Sequence, residues 1–288
     1  MTGQESQRDF TADDFLALAR QRVERLDARL LLQEVSGLSH AQLIARPNAA
    51  LTETQWGRLT NLLERRAAGE PLAYLLGYTE FRGRRFAVSP AVLIPRPETE
   101  ELVGLAQEIM RRWVDEGCAG RLRCADLGTG SGVIAISLKL ECPAAEVVAV
   151  ELSVGALAVT RANAEALGAV IDFRLGDWYA PLAGERFDLI VANPPYVAAS
   201  DPHLEQNGLP HEPRVALTDG GDGLDCIRAI VAGAPAALRA GGCLLFEHGW
   251  DQGEAARNLL WQAGFESTFT ATDLSRHERF SGGYYSGR

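Results

Sequence analysis

The sequence predicts an α/β protein in which a largely parallel sheet, covered by helices on both faces, follows a small helical bundle. Three observations carry this expectation. After Glu98, short apolar runs alternate with helix-length segments, the order that right-handed crossovers convert into parallel strands. One of those runs leads straight into Gly128-Thr129-Gly130-Ser131-Gly132, a strand-to-helix turn rich in glycine. Ahead of residue 70, apolar residues instead recur three and four apart.

Residues 1–71 are expected to form the bundle. Phe15, Leu18, Ala19, Val23 and Leu26, and later Leu59, Leu62 and Leu63, keep helical spacing. Thr52 with Gln55 three positions on resembles a capping box opening the helix that carries Trp56, and Gly69 with Pro71 closes it. Residues 72–97 change texture. Tyr78, Phe81, Phe86, Val88, Val92 and Ile94 stand among Gly77, Gly83, Pro90, Pro95 and Pro97, which predicts a β-hairpin and an extended linker at the domain boundary.

Residues 98–288 are expected to form the larger domain. A helix over about 98–116 leads to a strand at 122–127, a helix after Gly132, a strand at 147–151 and a helix at 154–167. Strands follow at 171–175 and 187–192, then a helix at about 225–239, a strand at 243–247 and a helix at about 252–263. Weaker strand signals lie near 266–270 and 280–286. On such sheets ligands sit at the carboxyl ends of the strands, where strand order reverses, so the search for chemistry starts there.

Composition narrows the function. The 288 residues are 47% hydrophobic and 23% charged, the proportions of an ordinary folded chain. Twenty-eight Lys and Arg against 38 Asp and Glu leave a net charge of −10, which disfavours binding through the phosphate backbone of nucleic acid. The five cysteines, Cys118, Cys124, Cys142, Cys226 and Cys243, are scattered and suit neither a disulfide framework nor a CxxC metal site. The opening MTGQESQRDF carries no apolar targeting stretch, and no run approaches a membrane span. A cytoplasmic chain with no membrane association and no metal is the expectation.

Four features could carry chemistry. The first is Gly128 to Gly132, where glycines let a ligand approach the backbone and the following helix offers free N–H groups and its positive dipole end. The loop departs from the dinucleotide fingerprint, whose third glycine would fall at Val133. The second is Glu151, 23 positions after Gly128, near the offset at which an acidic residue reaches ribose hydroxyls. The third is Asp177-Trp178 after the next strand, an acid for an adenine amino group and an indole for its face, although Trp178 also reads as simple core. The fourth is Asn193-Pro194-Pro195-Tyr196, directly after the strand at 187–192. Two prolines cannot continue a central strand, so the chain leaves the sheet here and presents Asn193 and Tyr196 at its carboxyl edge.

Together these features resemble the class I S-adenosylmethionine-dependent methyltransferases that act on a planar nitrogen, which implies a Rossmann-like, mostly parallel seven-stranded sheet. The resemblance implies that Gly128, Thr129, Gly130, Ser131, Gly132, Glu151, Asp177, Trp178 and Asn193 hold S-adenosylmethionine. It also implies that Asn193, Pro194, Pro195 and Tyr196 bind the substrate, with Asn193, Pro194 and Tyr196 catalytic. A planar nitrogen is a poor nucleophile. The Asn193 oxygen and the Pro194 carbonyl would accept its two hydrogens while Tyr196 stacks on its plane, holding the remaining face toward the methyl group. The tetrapeptide alone leaves open adenine, guanine or glutamine as substrate.

Three further stretches bear on that choice: Leu93-Ile94-Pro95-Arg96-Pro97-Glu98-Thr99-Glu100, Asp201-Pro202-His203-Leu204 through Glu212-Pro213, and Phe246-Glu247-His248-Gly249-Trp250. With the helical N-terminal region and the Tyr78-to-Phe86 connector they resemble the HemK/PrmC family, the glutamine methyltransferases of bacterial peptide chain release factors. That resemblance implies methylation of the glutamine side chain in the Gly-Gly-Gln motif, with the N-terminal bundle docking the release factor and the enzyme working as a monomer without direct nucleic-acid contact. The rival enzyme class is an amino-group methyltransferase acting on nucleic acid.

Other residues have plainer readings. Glu98, Glu100 and Glu101 open a helix, where carboxylates complement the dipole. Asp219-Gly220-Gly221-Asp222-Gly223 reads as a turn and helix cap. His203, His211 and His248 share no metal-ligand spacing. Arg65-Arg66 and Arg82, Arg84 and Arg85 read as solvated faces.

Overall fold

A computed structural model of the protein describes residues 10–117, 121–206 and 208–287. Cys118 and the first nine residues of the opening stretch lie outside them. The chain divides into two compact units, Met1–Gly77 and Tyr78–Arg288.

In the first unit, β1 (Phe10–Thr11) pairs antiparallel with β2 (Ala50–Leu51), and around this short ribbon stand α1 (Ala12–Ala19), α2 (Arg25–Ser36), α3 (His40–Ala45), α4 (Glu53–Ala67) and α5 (Leu72–Leu76). Reciprocal capping boxes open α1 at Thr11 and Asp14, α3 at Ser39 and Gln42, and α4 at Thr52 and Gln55. A side-chain cap of this kind is worth about 1 kcal/mol. The apolar stripes meet in one core containing Phe15, Leu31, Leu32, Leu59 and Leu63, and Phe10 stacks on Trp56 at 4.3 Å between ring centroids.

Residues 72–76, expected in an extended linker, are instead helical and bury Tyr74 and Leu75 in this unit. The five-residue helix lies between Pro71 and Gly77, too short for a 3.6-residue period to show against such neighbours.

The second unit opens with the hairpin of β3 (Tyr78–Phe81) and β4 (Arg84–Ala87), in register Phe81 to Arg84. Its two-residue turn puts Arg82 at φ 49° and Gly83 at φ 69°, the doubly left-handed turn that matches strand twist. Two members of the basic run are drawn into the fold, whereas Arg85 stays exposed as expected, over the Tyr78 ring. Arg82 and Arg84 both pair with Glu141 at 2.6 Å, and the Arg82 backbone N–H donates to Glu100. These partners lie far along the chain, where no local pattern reveals them. Arg66 likewise pairs with a distant residue, Asp27, while Arg65 stays exposed and pairs locally with Glu70.

Next come α6 (Pro97–Asp115), β5 (Arg123–Leu127), α7 (Val133–Glu141), β6 (Glu146–Glu151), α8 (Val154–Leu167), β7 (Asp172–Leu175) and β8 (Phe187–Ala192). They are followed by α9 (Asp225–Ala237), β9 (Leu238–Glu247), α10 (Gly253–Gln262), β10 (Phe265–Thr272) and β11 (Glu278–Tyr285). The seven strands of the main sheet run in the order β10-β11-β9-β8-β5-β6-β7, parallel from β9 to β7 and antiparallel at β10 and β11. Alternating residues of each strand feed two cores. Cys124, Ala149, Leu189 and Val191 pack with α6 and α7 on one face, while Ala125, Leu127, Ile190 and Phe246 pack with α9 and α10 on the other. The β9 strand starts five residues earlier than its apolar run, because Leu238 pairs with Phe187 before an irregularity admits Gly241 and Gly242.

The topology places the site. From β5 the chain steps outward to β6 and β7, then returns to the opposite side of β5 as β8. A crevice opens between the carboxyl ends of β5 and β8, where connections diverge to the two sides.

Candidate active site

Leu127, the last residue of β5, stands in register with Ala192, the last residue of β8. The glycine loop and the Asn193 tetrapeptide therefore leave neighbouring strands at the same level. Gly128, Thr129, Gly130 and Ser131 line one pocket with Asp177, Trp178, Asn193 and Pro195, and Thr99 of α6 joins them.

The loop is pinned at nearly every polar atom. Gly128 and Thr129 N–H both donate to Val150 O at 2.9 Å, Thr160 Oγ1 donates to Gly130 O at 2.6 Å, and Asn163 Nδ2 donates to Ser131 O at 2.9 Å. Asn163 also exchanges two hydrogen bonds with Ala87 of β4, tying the hairpin to the loop. Asp126 sits beneath, where Oδ2 accepts from Thr129 Oγ1 and from the Ala135 N–H in the first turn of α7. Its Oδ1 is buried without a hydrogen-bond partner, and burial pushes the carboxyl up to about 7.

Glu151 ends β6 and braces the same loop. One carboxylate oxygen accepts from Gly130 N and the other from Ser153 N, both at 2.9 Å. A carboxylate has about four acceptor positions, so both oxygens retain capacity for a diol. This bracing role was not foreseen from the strand-end position. Asp177 stays exposed at the rim. Trp178 takes φ 39°, which is uncommon outside glycine, and its ring lies over Gly128, where an added Cβ would stand 3.2 Å from the indole.

The described residues fit S-adenosylmethionine. Four loop residues, Gly128 to Ser131, line the pocket with the Asp177 carboxylate, whereas Gly132 and Glu151 are not among its lining residues and Glu151 reaches the loop through Gly130. An aromatic face is provided by Trp178, and Asp126 Oδ1 is an orphaned buried acceptor beneath the loop.

The tetrapeptide is divided between the surface of the pocket and its support. Asn193 and Pro195 line the cavity, whereas Pro194 is buried and Tyr196 is half-buried against the second core. Tyr196 is held at both ends. Its hydroxyl donates to Glu247 Oε1 at 3.0 Å, and its carbonyl accepts from Gln252 Nε2 at 3.0 Å. Gly223, at φ +83°, lets the backbone pass against Tyr196 O, where any Cβ would collide. Asn193 Nδ2 donates to Thr99 Oγ1 at 3.1 Å, and Thr99 Oγ1 donates to Glu247 Oε2 at 2.9 Å. Thr99 and Glu247 were present only as members of longer sequence stretches, with no signal that they meet.

The segment after the tetrapeptide is anchored by Glu212, whose buried carboxylate accepts from Ile94 N at 2.9 Å and pairs with Arg96 at 2.6 Å. Glu212→Ala is expected to lower stability by about 1–3 kcal/mol, since it strands a backbone donor and unpairs a partly exposed guanidinium. Denaturant midpoints, with limited proteolysis of residues 198–222, check this. The turn at Asp219–Gly223 caps α9 as expected, with Asp219 accepting from Gly221, Gly223 and Asp225 N–H groups. Asp219, Asp222 and Asp225 lie close together, and Arg228 pairs with the last two. His248 is buried and bridges Gly249 O and Ser281, while His203 is exposed beside Asp201. Among the described residues Cys124, Cys142, Cys226 and Cys243 are free, and no helix is long and apolar enough to cross a membrane.

Residues 11–77 match the model of the PrmC N-terminal domain, and residues 118–222 match that of the methyltransferase small domain. A release factor glutamine methyltransferase from Bordetella pertussis is 50% identical over 268 residues, covering 93% of this chain and 97% of that protein. The protein of the same name from Escherichia coli is 40% identical over 262 residues, covering 91% and 92%. Among solved structures, a T. thermophilus 16S rRNA methyltransferase in complex with AdoMet and guanosine aligns with a TM-score of 0.52 at 24% identity, over 72% of this chain and 49% of that one. A methyltransferase from Pyrococcus furiosus aligns with a TM-score of 0.52 at 16% identity, over 80% of this chain and all of that one. These two likenesses concern the fold.

Proposed function

This chain belongs to the release factor glutamine methyltransferase family, and from that premise we propose how its residues methylate the side-chain amide nitrogen of the glutamine in the Gly-Gly-Gln motif of peptide chain release factors. One observation carries the reading: the glycine loop and Asn193 leave adjacent parallel strands in register and line a single pocket.

The bound cofactor, S-adenosylmethionine, supplies a methyl group on a positively charged sulfur. Gly128 to Gly132 receive it along the bared backbone, Glu151 accepts the ribose hydroxyls while holding Gly130, and Asp177 with Trp178 flanks the base. Asn193 stands between cofactor and substrate and contributes to both. Its Oδ1 accepts one hydrogen of the glutamine amide and the Pro194 carbonyl accepts the other, with Pro195 and the ring of Tyr196 bounding the amide plane. Two acceptors on two hydrogens would orient the nitrogen and stabilise the positive charge that grows on it as it takes the methyl group and the S–C bond breaks, and the proton it then sheds would pass to water. Positioning in a pocket of fixed dipoles supplies the rate, without metal or strong base.

Three parts of the reading concern the whole chain. The N-terminal bundle, which runs to Gly77, docks the release factor, the methyltransferase unit begins with the hairpin at Tyr78, and the enzyme works as a monomer in the cytoplasm. The net charge of −10 suits a protein partner better than nucleic acid. Incubation with labelled cofactor and a release factor tests the assignment. Label is expected in the release factor and not in its Gln→Ala variant of the Gly-Gly-Gln motif. Equal labelling of both, or transfer to nucleic acid instead, would overturn it.

A further inference from the structure

Glu247 is fully buried, and no cation lies within ion-pairing distance of its carboxylate among the described residues. Placing a carboxyl group there is expensive unless it serves its neighbours. Both oxygens are engaged, Oε1 by the Tyr196 hydroxyl and Oε2 by the Thr99 hydroxyl. Thr99 has one hydrogen to give. While Glu247 is ionised it can only accept, so that hydrogen goes to Oε2 and the free side of Thr99 Oγ1 can only accept in turn. The neighbour on that side is the carboxamide of Asn193, which must then present Nδ2 to Thr99, as it does at 3.1 Å. Among the described residues no donor engages Asn193 Oδ1. With Nδ2 turned to Thr99 and one of its two hydrogens given there, the amide oxygen is the acceptor left for the pocket that Asn193 lines.

We propose that Thr99 and Glu247 form a hydrogen-bond relay that sets which end of the Asn193 carboxamide faces the substrate, keeping the acceptor oxygen inward and the donor nitrogen outward. The inference rests on the proposed transfer to a carboxamide, for which an inward NH₂ group at Asn193 would oppose the substrate hydrogens. Thr99 and Glu247 are positioning residues. Tyr196, on the other oxygen of the same carboxylate, is held by the same group, so both sides of the substrate slot share one anchor.

The relay reverses if Glu247 takes a proton. The neutral acid donates one hydrogen, and when that goes to Thr99, the Thr99 hydrogen is released toward Asn193, which can then offer its oxygen outward. Burial pushes the Glu247 carboxyl up to about 7, opposed by the bonds from Thr99 and Tyr196 and by the positive charge of Arg279 on β11, and helped by Glu98 on α6. The remaining charged or titratable neighbours are His248 in the same chain segment, which is buried on Ser281, and Arg96 before α6. Burial lowers the His248 value.

Three variants and two independent readouts test the relay. Thr99→Val keeps the shape and removes the hydroxyl. It is expected to lower kcat roughly 10²-fold, the effect of a misplaced positioning group, with little change in cofactor affinity or KM for the release factor. Thr99→Ser is expected to restore most of the rate. In Glu247→Gln the rate is expected to lose its rise with pH near 7, and the protein should unfold no earlier than wild type at pH 8. The sign follows from the raised value: the carboxyl favours the fold below its ordinary glutamate range, and that contribution is lost as pH rises through about 7.

The second readout needs no turnover. In ¹⁵N-labelled protein the Asn193 side-chain NH₂ signals, identified by their loss in Asn193→Ala, are expected to shift with a midpoint near 7 and to become pH-independent in Thr99→Val and Glu247→Gln. Signals indifferent to pH in wild type, or a transition that survives in Thr99→Val, would overturn the relay, as would a wild-type rate in that variant. A parent protein that methylates no release factor but shows the Asn193 transition would overturn the functional reading and leave the relay standing.

Discussion

Asn193→Ala is expected to lower kcat for release factor methylation on the order of 10³-fold while leaving cofactor affinity within a small factor of wild type. The size follows from its place. Asn193 is the tetrapeptide residue that both lines the pocket and joins the Thr99 relay, so its loss removes an acceptor for the amide hydrogen and the group that orients the nitrogen. The fold should tolerate the change. Truncation frees one lone pair on Thr99, a loss of about 1 kcal/mol, and creates no buried charge. Single-turnover methylation with a release factor gives the rate, and calorimetric titration with the demethylated cofactor product gives the affinity. Losses of similar size in both would show that Asn193 serves chiefly to hold the cofactor.

Gly132→Ala is expected to damage the other half of the site, raising the cofactor dissociation constant about 10²-fold or more and destabilising the domain. Gly132 caps α7 at φ +87°, where an L-residue is disfavoured by about 1–2 kcal/mol. Its Cβ would stand 2.6 Å from Thr160 Cγ2 and 2.9 Å from Ile136 Cδ1, and overpacking of this kind costs about 1–3 kcal/mol more. The loop cannot move aside cheaply, because Thr160 also holds Gly130 O and Asn163 holds Ser131 O. Adding Thr160→Ser should recover part of the stability, since it removes the clashing methyl and keeps the hydroxyl that bonds Gly130. Thermal midpoints and cofactor titrations of the two variants check this. A single variant that binds cofactor like wild type would mean that the tight loop is not required.

Much of this site was legible one residue at a time. Helix α8 and strand β8 fall within the limits that their apolar patterns predicted, and Gly128 to Ser131, Asp177, Trp178, Asn193 and Pro195 meet at one pocket, while Gly132 caps α7 behind them. Glycines, prolines and strand ends act locally, through allowed backbone angles and missing donors, so a short window of sequence reveals them. Glu151 was legible as a strand-end acid but not as the brace of Gly130, which depends on the neighbouring turn folding back over β6. Helix α5 was not legible at all, since one turn between Pro71 and Gly77 carries no period.

By itself the sequence determined the alternation of strands and helices, the places where the chain must leave the sheet, and the tetrapeptide that marks a planar-nitrogen methyltransferase. Only the tertiary structure decided what stands behind those residues. Thr99 meets Glu247 across 148 positions, Asn193 meets Thr99 across 94, and Glu212 closes on Ile94 across 118. Hydrophobic periodicity encodes which face of an element is buried, not which strand becomes its neighbour. The partner of a buried polar atom is chosen by strand order and register, and these exist only once the whole sheet has formed.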